Sequence, residues 1–409
     1  MSGARRPYRI CLFSNLFPPV PSGSSAFTAA LGRELARRGH SVDVITARLD
    51  PGEPESTQLD GVTVHRLAAW RLPPSPLYLG FKWMNSVASP ANLRRIDAIV
   101  DAHRPDVIHV HNHMFDLAWI AARLRRRRRL PLVLTLHTII RHPRAAYNAV
   151  LAPLDRVLLK RLVVAHADAV IGPDMNMCAY ARRVFDRDAI MVPYGITVPD
   201  AGAAMLETVR QRHGLHAKRV ILSLGHVHRK RSRLDLIAAM PRVLQSHPAA
   251  VLLIVGAVSI TEPARLVERL GLGGAVRFAG SVPHDETGAY LRIADLEVHW
   301  LDEGPAARPS LGIASLEAMA AGTPIVTTAT AGCYEAGVLR DGVNFVSLRD
   351  TAPDGIAAAI RGLLDDDDRR RRIGDAARET IREYFGWDQV CERTATVYAS
   401  AITGAAHTT

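Results

Sequence analysis

The chain has 409 residues, 48% of them hydrophobic and 22% charged, an ordinary globular composition that is too long for one core and suits two domains of about 200 residues each. No apolar run approaches the roughly 18 residues of a membrane span, and the N-terminal MSGARRPYRI passes from basic residues straight into a strand, which predicts neither a span nor a signal peptide and a cytoplasmic address. The net charge of +11 sits wholly in the first half, where residues 1–198 hold 27 Lys plus Arg against 15 Asp plus Glu. Such an excess points to an anionic partner, a phosphorylated acceptor or an anionic membrane leaflet. It does not point to nucleic acid, since no recognised nucleic-acid module is present and few aromatics flank the basic clusters.

Strand-like runs alternate with helical patterns throughout, as parallel sheets built from βαβ units require. In the first half strands are predicted at 8–13, 41–46, 62–67, 106–111, 132–137 and 169–172, with helices such as 26–38 between them. The same rhythm restarts at 219–225 and continues at 250–256, 275–280, 296–301 and 324–328. The linker 197–204, with its Pro, Gly and Ala residues, divides a domain at 1–198 from one at 199–383, and 384–409 reads as a terminal amphipathic helix.

Several stretches carry chemistry. The loop FPPVPSGSSAF (17–27) places small residues, Ser22 and Gly23, between a strand and a helix start, where backbone can approach a phosphate or sugar closely. His109, His111 and His113 alternate in HVHNH and so project to one strand face if the strand runs that far. Without a carboxylate or cysteine to complete a set, they are expected to hold no zinc, and His111 and His113 are candidates for acceptor contacts. His137 ends the strand LTLH, where a carboxyl edge opens toward ligand. The segment SLGHVHRKRSRLDLI (223–237) gathers Arg229, Lys230 and Arg231 just after Gly225, cations suited to an anionic ligand or to a solvated basic helix start. In LGIASLEAMAAGTP (311–324) a helix opens at Gly312, holds Glu317 in its second turn and stops at Gly322 before a buried strand. Such a start aims backbone N–H groups at a diphosphate, and Glu317 can accept from a ribose diol.

The four cysteines, Cys11, Cys178, Cys333 and Cys391, lack CxxC spacing, which argues against a structural zinc or a disulfide framework. Asp365–Asp368 followed by Arg369–Arg372 reads as i,i+4 surface pairing rather than a metal motif. Arg125–Arg129 lies before a buried strand and divides evenly between a membrane-surface role and a plain turn. The stretches 70–84 and 139–147, the latter with Arg141 and Tyr147, mix aromatics and cations as an amphipathic acceptor would need, or as packing between loops would.

The string at 311–324 closely resembles the donor-site segment of the retaining GT-B glycosyltransferases of family four, which includes sucrose synthase-like and phosphatidylinositol mannosyltransferase-like enzymes. The resemblance implies an α/β fold of two Rossmann-like domains facing across a cleft, with the terminal helix crossing back onto the first. It implies retaining, metal-independent transfer of a hexose or deoxyhexose from a nucleotide-sugar, UDP ahead of GDP, to a hydroxyl of a lipid-linked, glycan or small-molecule acceptor, with no cofactor and peripheral membrane association open. His137 would lie beside the donor sugar, with Arg229 and Lys230 on the diphosphate. Ser22, Gly23, Gly225, Arg231, Gly280, Ser281, Val282, Ser310, Leu311, Gly312, Ile313 and Glu317 would line the donor, the 276–283 loop holding the base through backbone without selecting it. Three positions depart from the family's pattern: Pro309 stands where a sugar-binding Glu is usual, His226 where Arg is usual, and Ser22 where Gly is usual. Asp302 or Glu303 could supply the lost carboxylate. These departures leave two rivals, a catalytically altered relative that binds nucleotide as a partner subunit, and a nucleotide-sugar epimerase on a similar scaffold.

Overall fold

The computed structural model describes residues 6–20, 22–73, 75, 77–78, 84–142, 144–228, 231–299 and 310–406. The chain forms two compact units, Met1–Gly195 with Trp387–Thr409, and Ile196–Gly386. The crossings fall a few residues from the boundaries expected after 198 and 383. The Ile196 N–H donates to the Phe385 carbonyl at 3.0 Å, so the second unit's first residue is tied to its penultimate one and the chain enters it beside the point where it leaves.

In the first unit the strands are β1 (Arg9–Ser14), β2 (Ser41–Arg48), β3 (Ser56–Leu59), β4 (Val62–Ala68), β5 (Trp70–Arg71), β6 (Asn85–Ser86), β7 (Val107–His111), β8 (Leu132–Thr135), β9 (Ala169–Gly172) and β10 (Ile190–Met191). Eight of them form one sheet in the order β10-β9-β8-β7-β1-β2-β4-β3, parallel apart from the antiparallel β3–β4 edge. The central strands read as continuous apolar runs because helices cover both faces. Burial follows: Ile10, Leu12, Val44, Val107 and Val133 face one cluster, and Phe13, Ile45, Ile108 and Leu134 face the other. The terminal helix Trp387–Ala406 belongs to the first cluster through Val390, Val397 and Tyr398, all buried.

The second unit carries β11 (Arg219–Leu224), β12 (Ala250–Val255), β13 (Val276–Gly280), β14 (Leu296–His299), β15 (Ile325–Thr327) and β16 (Val346–Ser347). Their order, β13-β12-β11-β14-β15-β16, is wholly parallel and reverses direction between β11 and β14. In doubly wound sheets that reversal opens a crevice at the carboxyl ends, where ligands bind. The core beneath it combines Ile221, Leu252 and Val298 of the sheet with Ile237, Met240 and Val243 of the helix Leu234–Ser246 and Ile356 and Ile360 of Pro353–Leu364.

The acid-then-base run opens the helix Asp367–Thr380, and its pairing differs from the expected i,i+4 pattern. Asp366 accepts from the Arg369 N–H as an N-cap, Asp367 bridges Arg219 and Arg370, and Asp368 pairs Arg371 three residues on. Charges placed in the first turn are used for capping before they are used for side-chain pairing. Arg125 makes a two-pronged bond to Asp168 at 2.7 and 2.8 Å, and Arg127 and Arg128 pair with Asp97 and Asp101. That part of the 125–129 run is therefore neutralised within its own unit.

Candidate functional site

At the carboxyl ends of β11, β12 and β13 the second unit builds a ledge from backbone. Gly225 follows β11 with φ 126° and Gly256 follows β12 with φ 137°, conformations that L side chains avoid. The Gly225 N–H donates to the Val255 carbonyl and the Gly256 N–H to the Gly280 carbonyl, each at 2.8 Å. A Cβ on Gly256 would lie 2.4 Å from the Gly225 carbonyl oxygen, so only glycine permits this approach.

The helix Ile313–Ala321 stands at the same end of the sheet, preceding β15. Its N-cap is Gly312, with extended backbone and no side-chain cap, and its C-cap is Gly322 at φ 79°. An N-terminus without a side-chain partner leaves donor N–H groups for an incoming anion. Glu317 lies one turn in, and burial pushes its carboxyl from the ordinary 4.5 up to about 7. Ser315 between them is fully buried and its hydroxyl has no partner among the described residues.

Arg233, at the entry to the helix Leu234–Ser246, is buried with φ 63°. Its Nε donates to the Ser223 hydroxyl at 2.7 Å and its Nη1 to the Arg231 carbonyl at 3.0 Å, while Nη2 has no hydrogen-bond partner among the described residues. Burial lowers its affinity for the proton, and the charge of the buried Glu297 opposes that. The guanidinium thus ties the loop after Gly225 to β11.

In the first unit a chain of rings lies at the carboxyl ends of β7 and β8. His109 bonds Tyr398 Oη at 2.8 Å and Thr135 at 2.7 Å, His111 bonds His137 at 3.0 Å, and His137 bonds Tyr194 Oη at 3.0 Å. Burial holds all three imidazoles neutral, His109 and His137 each pulled down to about 3 and His111 also well below the usual range. His111 Nε2 is left without a partner among the described residues.

A family model described as "Glycosyl transferase 4-like domain" matches residues 22–195, and one described as "Glycosyl transferases group 1" matches 206–380. A D-inositol 3-phosphate glycosyltransferase of Xylanimonas cellulosilytica is 30% identical over 98% of this chain and 98% of its own. A glycogen synthase of Mycobacterium tuberculosis is 30% identical over 97% of this chain and 95% of its own. The chain belongs to the group 1 glycosyltransferases. Among solved structures this glycosyltransferase resembles sucrose-phosphate synthase of Thermosynechococcus elongatus, with a TM-score of 0.72 at 21% identity over 98% of this chain and 100% of that one. It also resembles Anabaena HepE in complex with UDP, with a TM-score of 0.68 at 18% identity over 96% and 99%. Both share the GT-B fold of two Rossmann-like domains.

The residues singled out in the sequence of the glycosyltransferase separate into groups. Gly225, Gly280, Gly312, Ile313 and Glu317 gather at the carboxyl end of the second sheet, with Leu311 buried and Ser310 half-buried beside the helix start. Ser281 is exposed and Val282 half-buried after β13, and Arg231 is half-buried in a turn whose N–H donates to the His228 carbonyl. Ser22 caps the helix Gly23–Arg37 by accepting from the Ser25 N–H at 3.1 Å, so Gly23 becomes the first helical residue. Arg229, Lys230, Asp302, Glu303 and Pro309 lie outside the described residues.

One expectation is corrected. His113 does not share a face with His109 and His111, because Asn112 at φ 76° turns the chain as the strand ends. It is fully buried, hydrogen-bonded to Asp155 at 3.2 Å, and presents nothing to an acceptor. His137 has both ring nitrogens engaged by His111 and Tyr194, so its role beside a sugar would require exchanging one of those bonds. Arg141 is exposed, and Tyr147 is half-buried with its ring edge-on to His142 at 4.5 Å. Arg233, Gly256 and Ser315 were missed. Gly256 was legible as the glycine closing the run AVLLIVG, whereas Arg233 lay two residues beyond the cations singled out and Ser315 carries no sequence signal.

Proposed function

We propose that this glycosyltransferase moves a sugar from a nucleotide-sugar to a hydroxyl acceptor with retention of anomeric configuration and without a metal ion. The observation that carries the reading is the helix Ile313–Ala321, which starts without a side-chain cap at Gly312 and holds the half-buried Glu317 carboxyl one turn in. The diphosphate would take the helix N–H groups and the glycine ledge, and Glu317 the ribose diol. Arg231, with the 229–230 cations of the same loop, would meet the charge of the leaving diphosphate. In the reaction the anomeric carbon–phosphate oxygen bond breaks, the bond to the acceptor oxygen forms on the same face, and the acceptor proton passes to the departing phosphate oxygen. No carboxylate nucleophile is needed in that scheme, which makes Pro309 compatible with turnover. The UDP and UDP-glucose in the HepE structures support a uridine nucleotide. The basic first half supports an anionic or lipid-linked acceptor.

The test is the release of nucleoside diphosphate from UDP-glucose and GDP-mannose, with and without candidate acceptors. Acceptor-dependent release supports the reading. Tight binding of UDP with no release from any donor would instead favour a partner subunit that has lost turnover.

A further inference from the structure

The segment Ala145–Leu162 runs as one helical rod, an α-helix to Pro153, a wide π turn over Leu154–Leu159 and a last helical turn. Its 18 residues span about 27 Å. Five of the fifteen exposed large apolar side chains among the described residues fall on it: Val150, Leu154, Val157, Leu158 and Leu162. Their spacing of i, i+4, i+7, i+8 and i+12 is that of an amphipathic stripe, which a globular protein ordinarily turns to its core. Here the stripe faces outward, with Val157 64% and Val150 57% exposed.

The inner side of the rod is held by Leu151 and by Asp155, which is 2% exposed. The Asp155 carboxylate accepts from the Tyr180 hydroxyl and bonds His113 at 3.2 Å. Asp155 is also the only acidic residue between 139 and 166, so the one negative charge of the segment is turned inward. Outside remain Arg141, Arg144, Arg156 and Arg161, exposed, and Lys160, half-exposed. None of these five cations enters a salt bridge among the described residues, whereas Arg125, Arg127 and Arg128 of the same unit are all paired. An apolar stripe flanked by unpaired cations and cleared of exposed carboxylate is the pattern of a helix lying in a membrane interface, its side chains in the acyl boundary and its cations on lipid phosphates. No helix of the described residues is long and apolar enough to cross a membrane, so the contact would be peripheral.

We infer that Ala145–Leu162 docks this glycosyltransferase on an anionic lipid surface through Val150, Leu154, Val157, Leu158 and Leu162, with Arg156, Lys160 and Arg161 on the headgroups. The inference rests on the anionic or lipid-linked acceptor proposed above and assigns the lipid contact to this rod rather than to the paired 125–128 cations. Co-sedimentation of the full chain with vesicles of phosphatidylcholine, alone or mixed with phosphatidylglycerol, tests it without any donor present. Failure here therefore leaves the transferase reading, judged by nucleoside diphosphate release, untouched. The full chain is expected to sediment with the mixed vesicles, weakly with phosphatidylcholine alone, and less as salt is added. Arg156→Ala, Lys160→Ala and Arg161→Ala together should weaken binding on the order of a hundredfold, about fivefold for each cation removed. Val157→Asp with Leu158→Asp should abolish it with thermal unfolding unchanged, while Leu59→Asp, at an exposed apolar site elsewhere in the unit, should bind as wild type. Equal sedimentation with both vesicles, none with either, or wild-type binding by the 156/160/161 variant would overturn the proposal. So would a dimer in size-exclusion chromatography that dissolves on Val157→Asp, since a second copy would then be what covers the stripe.

Discussion

The Glu317 carboxyl couples ligand binding to stability in a way that one isosteric change exposes. Burial raises its proton affinity from the ordinary 4.5 to about 7. The unfolded chain therefore releases this proton first, and between those two values the native state binds more protons than the unfolded one. By linkage, stability contributed at this site is full below 4.5, falls as pH rises through the window, and stays low above about 7. A shift of that size corresponds to about 3 kcal/mol at about 1.4 kcal/mol for each pH unit, and partial solvent access reduces it to an effect on the order of 1–2 kcal/mol. Glu317→Gln keeps the shape and removes the titration. The variant should unfold at a higher temperature than wild type at pH 8 and show little difference at pH 5, measured by calorimetry on apo protein. Its UDP affinity should fall by about 1.5–3 kcal/mol at pH 8, the cost of a lost charged hydrogen bond, measured by titration calorimetry. Wild-type affinity should strengthen from pH 6 to pH 8 more steeply than that of the variant, since the ionised carboxylate is the form proposed to hold the ribose diol. A variant no more stable than wild type at pH 8, or one that binds UDP as tightly, would refute the placement of this carboxyl in the donor site.

Three further outcomes are expected. Turnover should survive excess EDTA, because Arg, Lys and helix N–H groups are proposed to meet the leaving charge; complete loss restored by a divalent cation would contradict that chemistry. Gly256→Ala should destabilise the second unit by several kcal/mol, since its Cβ would sit 2.4 Å from the Gly225 oxygen at φ 137°, and weakened UDP binding should accompany the lower unfolding temperature. If Pro309 replaces the usual sugar-binding Glu because the donor lacks the hydroxyl that Glu would contact, donor profiling should show a deoxy-sugar preferred by wild type and an ordinary hexose by Pro309→Glu; wild type working best on UDP-glucose or GDP-mannose would reject that reason. In that case Asp302→Ala or Glu303→Ala should lower turnover with UDP affinity intact.

Eleven strands were readable as runs rich in Val, Ile and Leu, and all are present, because strands buried between helices are largely apolar wherever they lie in the chain. The pieces that escaped, β3, β5, β6, β10 and β16, have two to four residues, and four of them, STQL, WR, NS and VS, are half or more polar, so no apolar run marks them. The helix from Gly312 to Gly322 was equally legible, since its start, its stop and its carboxylate are all local signals. Three facts needed the tertiary structure. Asn112 at φ 76° sends His113 into the core, an outcome that alternation along the strand does not predict. The neutrality of His109, His111 and His137 depends on which chains bury them, among them the helix bearing Tyr398, nearly 300 residues away in sequence. Burial of Asp155 likewise turns a segment of mixed charge into a purely cationic face, because a carboxylate satisfied by Tyr180 and His113 no longer speaks to solvent. Sequence determines which residues are apolar, charged or free to turn, and those properties are local; which side of an element meets protein and which meets water is a property of the packed fold alone.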